Sequence, residues 1–154
     1  MKFLIDTNRY SDFAKGQQEI VDLFASADCI CVPYVVLAEL RAGFRCGTVA
    51  RQNEQILTKF LENKRVKILY ADDVTTQCYA DIYSQLRAQG TPIPTNDIWI
   101  AALAVQHSLP LCSRDEHFNH LKQIARIGMQ SASRSSPGIT GAARPTSRSI
   151  MRGC

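Results

Sequence analysis

Short apolar runs alternate with amphipathic stretches along most of the chain. Lys2-Phe3-Leu4-Ile5 reads as a buried strand, and Asp6-Thr7-Asn8 after it reads as the start of a helix. Ile20, Val21, Leu23 and Phe24 then recur at helical spacing within residues 17–26. Cys29-Ile30-Cys31-Val32 is a second strand, and Pro33 stands where a first helical turn tolerates proline, opening a helix over residues 34–44. Gly43 and Gly47 bracket a break before another helix, residues 49–63, carried by Ile56, Leu57, Phe60 and Leu61. Val66-Lys67-Ile68-Leu69 is the third strand. Residues 72–88 form an amphipathic helix that Gly90-Thr91-Pro92-Ile93-Pro94 stops. Residues 97–107 are almost wholly apolar, which predicts a buried central helix. Leu109-Pro110-Leu111-Cys112 is a fourth strand, Ser113 to Glu116 carries a capping-box pattern for a short helix, and residues 124–129 add a weaker last strand.

Short apolar strands alternating with helices imply an α/β fold, with helices packed around a mainly parallel sheet of four to five strands. The length of 154 residues and an apolar content of 45% favour one folded domain, placed at residues 1–130. From residue 131 the composition turns to Ser, Arg, Gly, Ala and Pro, too poor in large apolar side chains to offset chain entropy, so residues 131–154 are expected to be a disordered tail. That segment also explains the net charge of +4. Its four arginines, Arg134, Arg144, Arg148 and Arg152, face no acid, and without them 14 basic residues balance 14 acidic ones. A polyanion must therefore be held by local basic clusters or by metal ions. No apolar run approaches the roughly 20 residues of a membrane-spanning helix, and no secretion signal opens the chain, so a cytoplasmic protein is expected. The six cysteines lack paired zinc spacing and read as reduced, largely buried thiols. Zinc held by Cys112, His117 and His120 is the other arrangement the spacing permits.

Four carboxylates stand where the local pattern does not call for charge or where a helix begins. Asp6 follows the first strand, Glu39 interrupts Val35-Val36-Leu37-Ala38-Glu39-Leu40, Asp97 starts the most apolar helix, and Asp115 follows the fourth strand. In a parallel sheet Asp6 and Asp115 lie at the carboxyl edge, where ligands collect. Each acid taken alone can serve as an ordinary helix-start residue or as a solvated charge. Brought together, they repel one another and find relief in a proton or a bound cation. Oxygen ligands select a hard ion such as Mg²⁺ or Mn²⁺, and such an ion beside a phosphate points to phosphodiester hydrolysis by a metal-activated water. No P-loop or Rossmann glycine pattern competes with this reading.

The runs Leu4-Ile5-Asp6-Thr7-Asn8, Val36-Leu37-Ala38-Glu39-Leu40, Asn96-Asp97-Ile98-Trp99-Ile100-Ala101-Ala102 and Ser113-Arg114-Asp115-Glu116-His117-Phe118 resemble the successive motifs of PIN-domain ribonucleases, most closely the VapC toxins of bacterial type II toxin–antitoxin pairs. The likeness covers about residues 1–130. It implies a PIN-like three-layer fold and a Mg²⁺- or Mn²⁺-dependent endoribonuclease with Asp6, Glu39, Asp97 and Asp115 in its acidic pocket. Asp6 and Asp97 match the family's principal metal ligands, and Thr7, Asn8 and Ser113 match small polar residues that orient the carboxylates. The resemblance further implies cleavage of structured RNA such as tRNA, a homodimer, and a cognate antitoxin lying over the site. Arg9, Arg41, Arg45, Arg51 and Arg114 are candidate contacts for phosphates or antitoxin. The alternative is a catalytically inactive PIN-like module that binds RNA or protein. The chain departs from the family pattern after about Met129, where the Ser- and Arg-rich segment continues.

Overall fold

A computed structural model of the chain describes residues 1–129 and places five short strands in one parallel sheet. In chain order these are β1 (Lys2–Ile5), β2 (Cys29–Pro33), β3 (Val66–Leu69), β4 (Leu111–Cys112) and β5 (Arg126–Ile127), arranged β3-β2-β1-β4-β5. Successive residues of a strand face opposite sides of the sheet. Phe3, Leu4 and Ile5 are all buried, as are Cys31 and Val32, so both faces of the central strands are covered. That is why these strands read as continuous apolar runs rather than alternating ones. The expected tail, residues 131–154, lies outside the described residues.

Six helices supply the cover: α1 (Thr7–Ala14), α2 (Gln18–Ser26), α3 (Tyr34–Cys46), α4 (Ala50–Leu61), α5 (Asp73–Gln89) and α6 (Thr95–Gln106). Phe13, Phe24 and Phe60 join α1, α2 and α4, with Phe13 stacked on Phe24 at 4.8 Å between ring centroids. Trp99 of α6 packs against Tyr79 of α5 at 4.4 Å and against Tyr34 of α3 at 6.3 Å. The interior of α6 is the predicted buried one, with Ile98, Ile100, Ala101, Ala102, Leu103 and Ala104 all inaccessible. Asp72 closes a capping box with Thr75 at the start of α5, and Gly90 ends that helix at φ +69°, a left-handed conformation glycine adopts freely. Pro33 is the last residue of β2 and the N-cap of α3, one position earlier than the first-turn site expected for it.

Strand β5 is only two residues long and half-buried, which explains its weak sequence signal. It is held from two sides. Leu111 of β4 pairs with Arg126, and the Arg9 guanidinium of α1 donates to the Gly128 carbonyl. Among the described residues Cys29, Cys31, Cys78 and Cys112 carry free thiols. No described helix is long and apolar enough to cross a membrane.

Candidate active site

The sheet order reverses at β1, which has β2 on one side and β4 on the other. A crevice opens at the carboxyl ends of strands where the order reverses in this way. Leu4 pairs with Leu111 and Ile5 with Cys112, so the next residues, Asp6 and Ser113, emerge side by side. The Ser113 hydroxyl donates to Asp6 Oδ2, while Asp6 Oδ1 accepts the Arg9 amide at 2.9 Å and caps α1. Asp6 thus starts a helix and faces the crevice at once; it is 4% exposed.

Ser113 Oγ also accepts the Asp115 amide at 3.0 Å, which fixes the loop leaving β4. Asp115, in turn, caps the 3₁₀ helix Glu116–His120 by accepting the His117 amide at 2.9 Å. The cap is therefore Asp115, not Ser113 as the capping-box pattern suggested, because the serine hydroxyl is drawn to a carboxylate 107 residues away in sequence. The turn folds the His117 ring back over the site. Its Nδ1 lies 2.9 Å from Asp97 Oδ2 and 3.1 Å from Asp115 Oδ1. Asp97 stands in the first turn of α6, and Glu39 reaches in from the middle of α3.

The electrostatics reflect this crowding. Burial raises the Asp6 carboxyl above its ordinary value and Asp115 adds to the rise, against the stabilising Ser113 hydroxyl, Arg9 amide and Arg9 charge. Glu39 is raised first by burial, then by the charges of Asp97 and Asp6, while hydrogen bonding from Thr7 and Asn96 opposes the shift. The Thr7 hydroxyl is buried without a fully formed hydrogen bond, so it favours the Glu39 carboxylate through proximity more than through ideal geometry. Asp97 is raised by burial, opposed by hydrogen bonding to His117, and raised further by Asp115. Asp6, Glu39 and Asp97 therefore each sit in the field of another of the predicted acids. The Arg126 guanidinium supplies part of the balance: burial disfavours its charge, Asp6 and Asp115 favour it, and it donates to the Ser113 carbonyl at 2.7 Å.

The ligand atoms that converge within 4.8 Å of one another belong to Asp97, Asp115 and His117. Two carboxylates and an imidazole, partly open to solvent, form a donor set suited to a divalent cation with coordination positions left for water or substrate. Asp6 lies in the field of Asp115, and Glu39 in the fields of Asp97 and Asp6. Sequence reasoning missed His117 as a partner of these acids, although it lies two residues beyond Asp115 and the 3₁₀ turn brings it back. It also missed Asn96 as a partner of Glu39. Asn8 is exposed in the first turn of α1. Cys112 is fully buried in β4, where burial pushes its thiol up to about 12, and the donor cluster formed by His117 contains Asp97 and Asp115 rather than Cys112. Arg9, expected among the phosphate contacts, is 3% exposed and paired with the buried Asp12 at 3.1 Å, which removes it from that role. Arg114 reaches the same Asp12 at 3.2 Å but remains half exposed, and Arg41 pairs with Glu54 at the surface.

The PIN-domain pattern matches residues 3–124. This chain belongs to the PIN-domain family. Among relatives of this PIN domain, Ribonuclease VapC5 of Mycobacterium tuberculosis is 27% identical over 124 residues, covering 80% of this chain and 90% of that protein. Ribonuclease VapC2 of Haemophilus influenzae is 30% identical over 129 residues, covering 82% and 92%. The PIN domain also superposes on the solved VapBC-5 structure from Mycobacterium tuberculosis, a member of the VapBC family of toxin–antitoxin systems. The TM-score is 0.62 with 27% identity, covering 82% of this chain and 98% of that one. The PIN domain is of the VapC type.

Proposed function

We propose that this PIN domain is a metal-dependent endoribonuclease, the toxin of a toxin–antitoxin pair, hydrolysing phosphodiester bonds in structured RNA such as tRNA. The observation that carries the reading is the meeting of Asp6, Glu39, Asp97 and Asp115, from four separate segments, at the sheet's carboxyl edge. Asp97 and Asp115, with Asp6 behind them, would hold a Mg²⁺ or Mn²⁺ ion. Such an ion supplies Lewis acidity toward the phosphate and its attacking water, and offsets charge building on the leaving oxygen. Glu39, whose carboxyl burial and neighbouring anions hold above the ordinary range, accepts the proton of the attacking water. Thr7 and Asn96 favour the charged form of Glu39, and the Ser113 hydroxyl orients Asp6 while its oxygen anchors the Asp115 loop. Exposed Arg45, Arg51 and Arg114 supply local positive charge for RNA phosphates in a body that is otherwise neutral.

The VapBC-type likeness supports a cognate antitoxin as partner, and the family resemblance supports a homodimer. An RNA target places the protein in the cytoplasm. The test is incubation of the purified protein with total RNA and Mg²⁺ or Mn²⁺, beside Asp6→Asn and Asp97→Asn. We expect discrete fragments from the parent and a loss of at least about 100-fold in either variant, above the 10–100-fold typical of residues that only support a metal ligand. Equal cleavage by parent and variants would reveal a contaminating nuclease. A folded, metal-binding parent that cleaves no RNA would instead leave a binding module.

A further inference from the structure

His117 belongs to the same constellation as the acids, yet its chemistry differs from theirs. The backbone that carries its ring is held in place by the fold. Phe118, the next residue, is 1% exposed and anchors the 3₁₀ turn in the core, and the His117 amide is tied to Asp115. The neighbouring elements present Asp97 from α6 and Asp115 from the loop after β4, and Nδ1 stands 2.9 Å and 3.1 Å from their oxygens. Adjacent corners of an octahedron with bonds of about 2.1 Å are separated by about 3.0 Å. The imidazole nitrogen therefore stands at that spacing from both carboxylates, and all three donors lie within 4.8 Å of one another.

The geometry points to His117 as a nitrogen ligand of the cation in this site, making the centre one for a transition ion of the Mn²⁺ class rather than for Mg²⁺. The inference rests on the reading above that the site holds a divalent ion. Mg²⁺ takes oxygen and water and gains little from an imidazole, whereas first-row transition ions accept nitrogen readily. An all-carboxylate site discriminates less. With Asp97 and Asp115 unchanged, the imidazole widens the preference.

The test titrates Mn²⁺ and Mg²⁺ separately into the full-length metal-free protein and into His117→Ala. Calorimetry gives the affinities, and pulsed electron paramagnetic resonance of bound Mn²⁺ reads directly whether a nitrogen is coordinated. The parent should bind Mn²⁺ at least about tenfold more tightly than Mg²⁺ and show nitrogen hyperfine coupling. His117→Ala should lose that coupling and about tenfold in Mn²⁺ affinity while leaving Mg²⁺ affinity nearly unchanged. The side chain is half exposed, so its truncation leaves the core intact, and a thermal melt of the variant checks this. Tight Mn²⁺ binding without nitrogen coupling, or equal loss of both ions on substitution, would overturn the inference and leave the ribonuclease reading standing. Failure of the parent to bind either ion would overturn both.

Discussion

Glu39 sits in an apolar stretch of α3 with two other carboxylates in its field, and that placement fixes how stability should respond to pH. Asp6, Glu39 and Asp97 all hold protons more tightly in the fold than their ordinary values of 3.8, 4.5 and 3.8. The folded state therefore binds more protons than the unfolded chain over this window. The metal-free protein should be most stable below the ordinary carboxylate range, and should lose stability as pH rises through the raised values. Asp28 and Asp72 shift the other way, but they are fully exposed and solvent screens them. Urea unfolding in a chelator should show a midpoint that falls from about pH 4 upward, with added Mn²⁺ opposing the fall. Glu39→Gln should flatten that decline, remain at least as stable as the parent near neutrality, and abolish cleavage. A large stability loss with cleavage retained would make Glu39 a structural hydrogen-bonding residue. The four acids were legible in the sequence because each interrupts an apolar run or stands beside one. His117 was legible only as a candidate zinc ligand, and Arg126 not at all, because nothing local marks a partner such as Asp97 or Asp6 on another segment.

At the level of elements, the strands and helices were readable because burial on both sheet faces leaves unbroken apolar runs between polar turns. Helix boundaries moved by only one or two residues, as with residues 72–88 against the observed Asp73–Gln89. What could not be read was how α1 is fastened to the end of the sheet. Asp12, 1% exposed, accepts from Arg9 at 3.1 Å, from Gln17 at 3.2 Å and from Arg114 at 3.2 Å, and Arg9 continues to the Gly128 carbonyl beyond β5. In sequence Asp12 looks like one more solvent-facing acid on a short helix. Its removal strands the Arg9 guanidinium in the core, a change that costs about 3–5 kcal/mol when one partner of a buried pair is lost. Asp12→Ala should therefore lower the urea midpoint strongly, and Asp12→Asn less, because the amide keeps an acceptor oxygen. An Asp12→Ala variant as stable as the parent would show that the network contributes nothing. The site depends on this fastening, since the Arg9 amide is also bound by Asp6, and Arg126 of β5 lies in the field of both Asp6 and Asp115.

Across the whole molecule, the family match ends at residue 124, so residues 130–154 should be dispensable for folding. The charge is divided differently. The body is neutral, and the arginines beyond residue 130 account for the net +4. A chain ending at residue 129 should unfold as cooperatively as the full chain, with stability within about 0.5 kcal/mol, the range of changes that touch no packed feature. RNA binding should respond more. Each phosphate neutralised on a single strand adds about 0.7 to the slope of log affinity against log salt, so losing four arginines should make that slope shallower by up to about 3. The measurement uses Asp97→Asn, full-length and truncated, with RNA binding followed across a salt series so that cleavage does not intervene. An unchanged slope would assign the phosphate contacts to Arg45, Arg51 and Arg114 on the body. Loss of cooperative unfolding on truncation would show instead that the terminal segment is part of the fold.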